Sequence, residues 1–254
     1  MDDLIKEIKQ KKELSDLPDY LVEKVLSNYV SKNKLSLALN KKSRKLIIKE
    51  IRSELRRYAG QYNSISESKR KKLISSNQSE KLLKIHKSTR ERLEEYSDIK
   101  KFIKKINPKS ILDLGCGLNP LALAKKGMLY YAYDIKNEDI KTISDFFSKN
   151  NIEGFAVQGD ITIMEHFPKT DLCLIFKVLD ILPGNRYETS RNIIEKIKSE
   201  KIIVSFATKT LSGNPMNFPR RLWFEKLLKE LNFAYSYENK SNEVFYFIDN
   251  NLQE

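Results

Sequence analysis

The 254-residue sequence predicts an α/β chain: a mostly parallel sheet with helices on both faces, preceded by an all-helical segment. Three observations predict it. From residue 109 onward, short apolar runs at 110–114, 129–134, 154–158, 171–176 and 201–206 read as strands with helices between, as in a sheet buried on both faces. Before residue 108, apolar residues recur at three- and four-residue steps, the spacing of helices. The first three runs carry carboxylates at or near their ends (Asp113, Asp134, Asp160), where open α/β sheets bind their ligands. We therefore place a domain boundary near residue 108, giving helical 1–108 and sheet-bearing 109–254.

In the helical part, Leu4, Ile5, Ile8 and then Leu21, Val22, Val25, Leu26 fall on single helix faces, with 15–19 (Ser-Asp-Leu-Pro-Asp) breaking one helix and capping the next. From 36 to 58, Lys41, Lys42, Arg44, Lys45, Lys49, Arg52, Arg56 and Arg57 interleave with Leu46, Ile47, Ile51 and Leu55, an amphipathic helix with a basic outer face. Lys69, Arg70, Lys71 and Lys72 add a second basic cluster before a helix over 73–85. Ser88 or Thr89 is placed to cap a helix over 90–105, which Asn107-Pro108 ends.

The net charge of +13 is unevenly spread. Residues 1–108 hold 28 Lys and Arg against 15 Asp and Glu, whereas 109–254 hold 19 of each. A basic front joined to a neutral rear points to a polyanionic partner, nucleic acid first and an acidic membrane surface second; the alternative is a solvated helix face. The first residues lack a basic-then-apolar leader, and no run approaches the roughly 18 apolar residues of a membrane span, so a cytoplasmic protein is expected. Cys116 and Cys173 lack metal-ligand or disulfide spacing.

In the rear half, Asp113-Leu114-Gly115-Cys116-Gly117 leads through Leu118-Asn119-Pro120 into an alanine-rich segment, a strand, tight turn and helix. Gly115 and Gly117 permit positive φ and close approach of a ligand. Asp134 stands about 20 residues further on, where dinucleotide folds hold a ribose. The third glycine of G-x-G-x-x-G is absent and no Gly-Lys-Ser/Thr follows, so S-adenosyl-L-methionine fits better than NAD or a nucleoside triphosphate. Runs 233–237 and 243–248 flank a hairpin that would give the sheet an antiparallel edge, and the whole resembles the class I (Rossmann-like) methyltransferase sheet.

With Cys116-Gly117-Leu118-Asn119-Pro120-Leu121-Ala122-Leu123 in view, together with His86-x-Ser88-Thr89-Arg90-Glu91-Arg92-Leu93, Leu174-Ile175-Phe176-Lys177-Val178-Leu179, Val204-Ser205-Phe206-x-Thr208-Lys209-Thr210-Leu211-x-Gly213 and Trp223-Phe224, the chain resembles the aminoglycoside-resistance 16S rRNA (guanine-N7) methyltransferases from about residue 80 onward. The resemblance implies S-adenosyl-L-methionine as cofactor and small-subunit rRNA as partner, with no membrane or metal, in a monomer. It implies that Arg92 holds the methionine carboxylate, Gly115 and Gly117 underlie the cofactor, Asp134 binds the ribose hydroxyls and Asp160 the adenine amino group. His86, Asp113, Ile135, Ile161 and Phe176 complete that pocket. It places Lys177, Thr208 and Lys209 on the target side, while the charge pattern itself makes Lys41, Lys42, Arg44, Lys45, Lys49, Arg52, Arg56, Lys69, Arg70, Lys71 and Lys72 the candidates for the RNA side. Two departures stand near the expected target pocket: Pro183-Gly184 where relatives carry a glutamate, and the loop 213–217.

Guanine N7 carries a free lone pair at neutral pH, so its methylation requires positioning rather than a general base, and no His-carboxylate pair is evident. Cys173, inside an apolar strand, does not suit pyrimidine C5 chemistry. Phe206, Phe218 and Trp223 are candidates for stacking on an extruded base, each also a candidate for the core. Lys177 is either target-facing or paired with Asp180. Two other readings stay open: a same-fold enzyme acting on another rRNA or tRNA position, and a non-catalytic RNA-binding assembly factor.

Overall fold

The structure, a computed structural model, describes residues 2–35, 40–59, 65–85, 87–182, 184–210, 213–240 and 242–250. The described helices are α1 (Asp2–Lys9), α2 (Asp19–Lys32), α3 (Lys41–Ala59), α4 (Glu67–Ser75), α5 (Ser79–Leu83), α6 (Lys87–Glu91) and α7 (Tyr96–Ile106), then α8 (Pro120–Leu123), α9 (Asn137–Asn150), α10 (Arg186–Lys196) and α11 (Leu222–Glu230). The strands are β1 (Ser110–Leu114), β2 (Leu129–Asp134), β3 (Gly154–Gln158), β4 (Leu172–Phe176), β5 (Lys201–Ala207), β6 (Ala234–Asn239) and β7 (Glu243–Asp249).

They form one sheet in the order β3-β2-β1-β4-β5-β7-β6, with β7 antiparallel to both neighbours and all other pairings parallel. This is the α/β class I arrangement expected, and every expected strand lies within a residue or two of its place. The order reverses beside β1, where β1 pairs with β2 on one side and β4 on the other. The crevice at the carboxyl ends of these strands is the natural ligand position.

Two cores cover the sheet's faces. One packs Ile111, Tyr130, Leu172 and Phe245 against α9, α5 and α7; the other packs Leu112, Cys173, Val204 and Tyr246 against α10 and α11. Period-two alternation sends neighbouring strand residues to opposite cores, so Leu112 and Ile111 part company. A third core, built from Leu14, Leu21, Leu26, Ile51 and Leu55, unites α1–α3.

Four local features differ from expectation. The core on the α9 face takes in Ile74, Leu82, Leu83, Tyr96, Ile99 and Ile103, so packing joins α4, α5 and α7 to the sheet, and the separate core ends with α3. The helix expected over 73–85 is two pieces, α4 and α5, parted at Asn77 with φ +56°. The helix expected over 90–105 is interrupted between α6 and α7. Thr89 lies inside α6 and is no cap; its hydroxyl donates to the Leu83 carbonyl, and Arg92, in the interruption, turns inward. Residues 159–171 form turns and irregular chain instead of a covering helix, and Phe155 on edge strand β3 is 56% exposed. Asn107 ends α7 in the left-handed conformation, as the Asn-Pro pair suggests.

Candidate cofactor pocket and nucleic-acid face

β1 delivers Asp113 into the interior and then turns through Gly115 (φ +65°) and Gly117 (φ +50°). A Cβ on Gly115 would collide with the Val178 side chain, so both backbone conformation and space require glycine there. Helix α8 is a single turn, and the polarity of this loop comes from Asp134 instead. At the end of β2 its two carboxylate oxygens accept the backbone N–H of Gly117 (2.8 Å) and of Lys136 (2.9 Å). Burial pushes the Asp113 carboxyl up to about 7, with the Asp134 charge adding to it, against the Tyr130 hydroxyl that donates to Asp113 at 2.7 Å and the charge of Arg92.

Asp160 follows β3. Thr162 donates its N–H (2.9 Å) and hydroxyl (2.7 Å) to Asp160 Oδ1. Oδ2 is buried and has no hydrogen-bond partner among the described residues. A buried acceptor left open in this way costs free energy unless a donor arrives. Ile161 is buried in the α10–α11 core, and half-buried Ile135 packs against the α1–α3 core. His86 lies outside the described residues.

Arg92 is 1% exposed. Its Nε and Nη2 donate to the two oxygens of Glu243 (2.9 and 3.0 Å), its Nη1 donates to Asn119 Oδ1 (2.8 Å), and its guanidinium lies 4.8 Å from the Phe176 ring centroid. Glu243, at the start of β7, also accepts from Ser205 (2.5 Å) and pairs with Lys177 (3.2 Å). Burial alone would raise the Glu243 carboxyl; the Arg92 and Lys177 charges prevail and hold it below the usual carboxylate range.

Lys177, with φ +60°, bonds Glu91 at 2.9 Å as well and is turned into this cluster. The anticipated partner Asp180 is held by Arg221 (2.8 Å) and Arg186 (3.3 Å) instead. Arg221 in addition donates to the carbonyls of Ala207, Phe218 and Pro219, tying the loop after β5 to the end of β4. Of the three candidate stacking aromatics, Phe206 is fully buried and Trp223 packs edge-on against it, whereas Phe218 is 82% exposed on the tied loop. Thr208 and Lys209 lie just beyond β5 on the same rim, Thr208 N–H bonded to the Asn242 carbonyl. Burial pushes both cysteine thiols up, in keeping with the reading of Cys173 as inert.

The basic residues divide by role. Arg44 pairs with Glu7 (2.8 Å), Arg56 with Glu13 (3.0 Å), and Arg52 donates to the Ile8 and Glu7 carbonyls, so these three fasten α3 to α1 and the turn after it. Lys41, Lys42, Lys45 and Lys49 are exposed on α3. Arg70 corrects the expectation of an RNA contact: it is 4% exposed and bonded to Asp139 (2.7 Å) and Glu138 (3.3 Å) of α9, because the buried Asp139 needs a counter-charge. Lys69, Lys71 and Lys72 remain on the surface. Glu243, Asn119 and Glu91 join the cluster without having stood out as site residues in the sequence, although a glutamate opening the otherwise apolar run 243–248 is a visible sign.

A family model described as ribosomal RNA methyltransferase (FmrO) matches residues 74–247. The chain belongs to this FmrO family. Its relatives include the 16S rRNA (guanine(1405)-N(7))-methyltransferase of Serratia marcescens, 32% identical over 157 residues, 60% of this chain and 62% of that protein. The enzyme of the same name from Proteus mirabilis is 30% identical over 183 residues, 68% of this chain and 65% of its own. Either match spans less than two thirds of the relative's length. In fold, this FmrO-family chain superposes on the 16S rRNA methyltransferase RmtF, solved in complex with S-adenosyl-L-homocysteine, with a TM-score of 0.80 over 98% of this chain and 97% of that one at 19% identity. The matched segment runs from α4 into β7 and so coincides with the part of this FmrO-family chain that packs on the sheet.

Proposed function

We propose that this protein transfers a methyl group from S-adenosyl-L-methionine to N7 of a guanosine in the decoding region of small-subunit rRNA, the reaction type that makes a ribosome resistant to aminoglycosides. The observation that carries it is the row of strand-end acids, with Asp134 fixing the glycine turn and Asp160 Oδ2 open as an acceptor. An adenosyl ligand suits this set: Asp134 for the ribose hydroxyls, Asp160 Oδ2 for the adenine amino group, the Gly115–Gly117 backbone as floor and Arg92 for the methionine carboxylate. When bound, the cofactor supplies an electrophilic methyl on a sulfonium centre.

The protein's own residues do the rest by positioning, which alone supplies several kcal/mol in well-oriented reactions. Glu243 and Asn119 hold Arg92 in one orientation, and Arg221 holds the loop that carries Phe218, the aromatic we assign to stacking on the target base. Thr208 and Lys209 belong to the same target-side rim. The helical front of the chain, 1–108, docks on the folded RNA, with α1–α3 as its outer unit and Lys41, Lys42, Lys45, Lys49, Lys69, Lys71 and Lys72 facing phosphates. We assign it a monomeric state and a cytoplasmic location; among the described residues no helix is long and apolar enough to cross a membrane.

The test is methyl transfer from labelled cofactor to purified small subunits. Wild-type protein should label them and Asp134→Ala should not. Subunit binding without label would favour an assembly factor, and label at another nucleotide or in tRNA would favour a same-fold enzyme of different target.

A further inference from the structure

Helix α2 belongs to the outer helical unit, yet one of its faces touches the cofactor end of the sheet. Tyr20 and Lys24, one turn apart and therefore neighbours on that face, both meet the turn after β3. Lys24 Nζ donates to Thr162 Oγ1 at 3.3 Å and stands 4.0 Å from Asp160 Oδ2. The Tyr20 hydroxyl takes a hydrogen bond from the Asp160 backbone; burial, with the Asp160 charge beside it, pushes that phenol up to about 12. The same unit also grips the segment after β2, where Asp16 accepts the N–H of Glu138 in the first turn of α9 at 2.8 Å and Ile135 packs into the three-helix core.

These contacts converge on one carboxylate. Thr162 spends both its N–H and its hydroxyl on Asp160 Oδ1, which leaves Oδ2 as the acceptor still to be filled. Lys24, by bonding Thr162 Oγ1, fixes the direction of the Thr162 hydroxyl: the oxygen accepts from the lysine and its hydrogen is committed to Asp160.

We propose that Lys24 is a positioning residue for cofactor recognition, acting through Thr162 and Asp160, so that the basic helical unit supplies part of the adenine end of the pocket. The proposal rests on the adenosyl cofactor reading above. Lys24 thereby has a role distinct from the exposed lysines of α3: its charge serves the ligand pocket and not a phosphate.

The experiment is calorimetric titration of the full-length chain with S-adenosyl-L-homocysteine, as wild type, Lys24→Met, Lys24→Arg, Asp160→Ala and the Lys24→Met/Asp160→Ala double variant, each checked for wild-type helix content. Lys24→Met should weaken binding by about tenfold, because the Thr162 hydroxyl is no longer held in its direction toward the charged Asp160 acceptor, and Lys24→Arg should recover most of it. In the Asp160→Ala background the lysine substitution should cost nothing further, because the group it acts through is gone. A Lys24→Met affinity within twofold of wild type, or a full additional loss in the double variant, would overturn the proposal while leaving the cofactor reading intact. Absence of binding by the wild-type chain would overturn both.

Discussion

At position 243 a carboxylate opens a strand that is otherwise apolar, and two cations reach it from distant parts of the chain, Arg92 from the break before α7 and Lys177 from the end of β4. Replacing Glu243 with Gln leaves Arg92 without its buried counter-charge and Lys177 with Glu91 alone, a change that typically costs about 3–5 kcal/mol. Urea denaturation at pH 7 should show that loss, together with weakened binding of S-adenosyl-L-homocysteine. Because the Glu243 carboxyl is held low in the folded protein, its stabilisation is present above the ordinary glutamate range and is lost as pH falls through the folded value. Asp113 has the opposite sign: with its carboxyl raised to about 7, the folded state holds a proton that the unfolded chain has released, and stability falls as pH rises from the ordinary aspartate range through about 7. Melting temperatures measured at pH 5 and pH 8 should therefore differ less in Asp113→Asn than in wild type. Asp113, Asp134 and Asp160 stood out in the sequence because each lies at or near the end of a short apolar run. Glu243 was not, because the partners that justify its burial lie 151 and 66 positions away along the chain.

At the scale of elements, periodicity located the strands well, since a sheet buried on both faces leaves an almost unbroken apolar signature. It could not locate the interruption between α6 and α7, which exists to turn Arg92 toward Glu243, nor the missing helix over 159–171, where the α1–α3 unit meets the turn instead. Helix α3 shows the same limit. Its basic residues read as one RNA face, but the structure gives Arg44, Arg52 and Arg56 to α1 and its following turn and leaves the lysines outside. Charge reversal of Lys41, Lys45 and Lys49 should weaken subunit binding and flatten its dependence on salt, with the melting temperature unchanged. Arg52→Ala should do the reverse, lowering stability by about 1–3 kcal/mol through the loss of both bonds to the end of α1, the Glu7 carbonyl keeping only the Gln10 N–H. In the glycine turn, Gly115→Ala sets a methyl against Val178 at a positive φ, and should abolish cofactor binding in calorimetry even where the chain still folds.

For the molecule as a whole, the packing boundary falls after α3, although charge composition changes near residue 108. The distinction is physical: α4, α5 and α7 are basic on the outside and share the sheet's core on the inside, so composition and burial report different things about the same helices. The result is an outer three-helix unit seated on the turn after β3 and the segment after β2, and a rim formed by the ends of β4 and β5, which we propose faces the target, on opposite sides of the crevice beside β1. Phe218→Ala should separate the two functions, retaining cofactor affinity and subunit binding while lowering methyl transfer by at least tenfold, as loss of a stacking contact implies. The most direct test of the account is to incubate the protein with S-adenosyl-L-methionine and purified small ribosomal subunits and map the product by borohydride-aniline cleavage and reverse transcription. One strong stop at a decoding-region guanosine is expected, absent with Asp134→Ala. No cleavage, with cofactor and subunits both demonstrably bound, would contradict it.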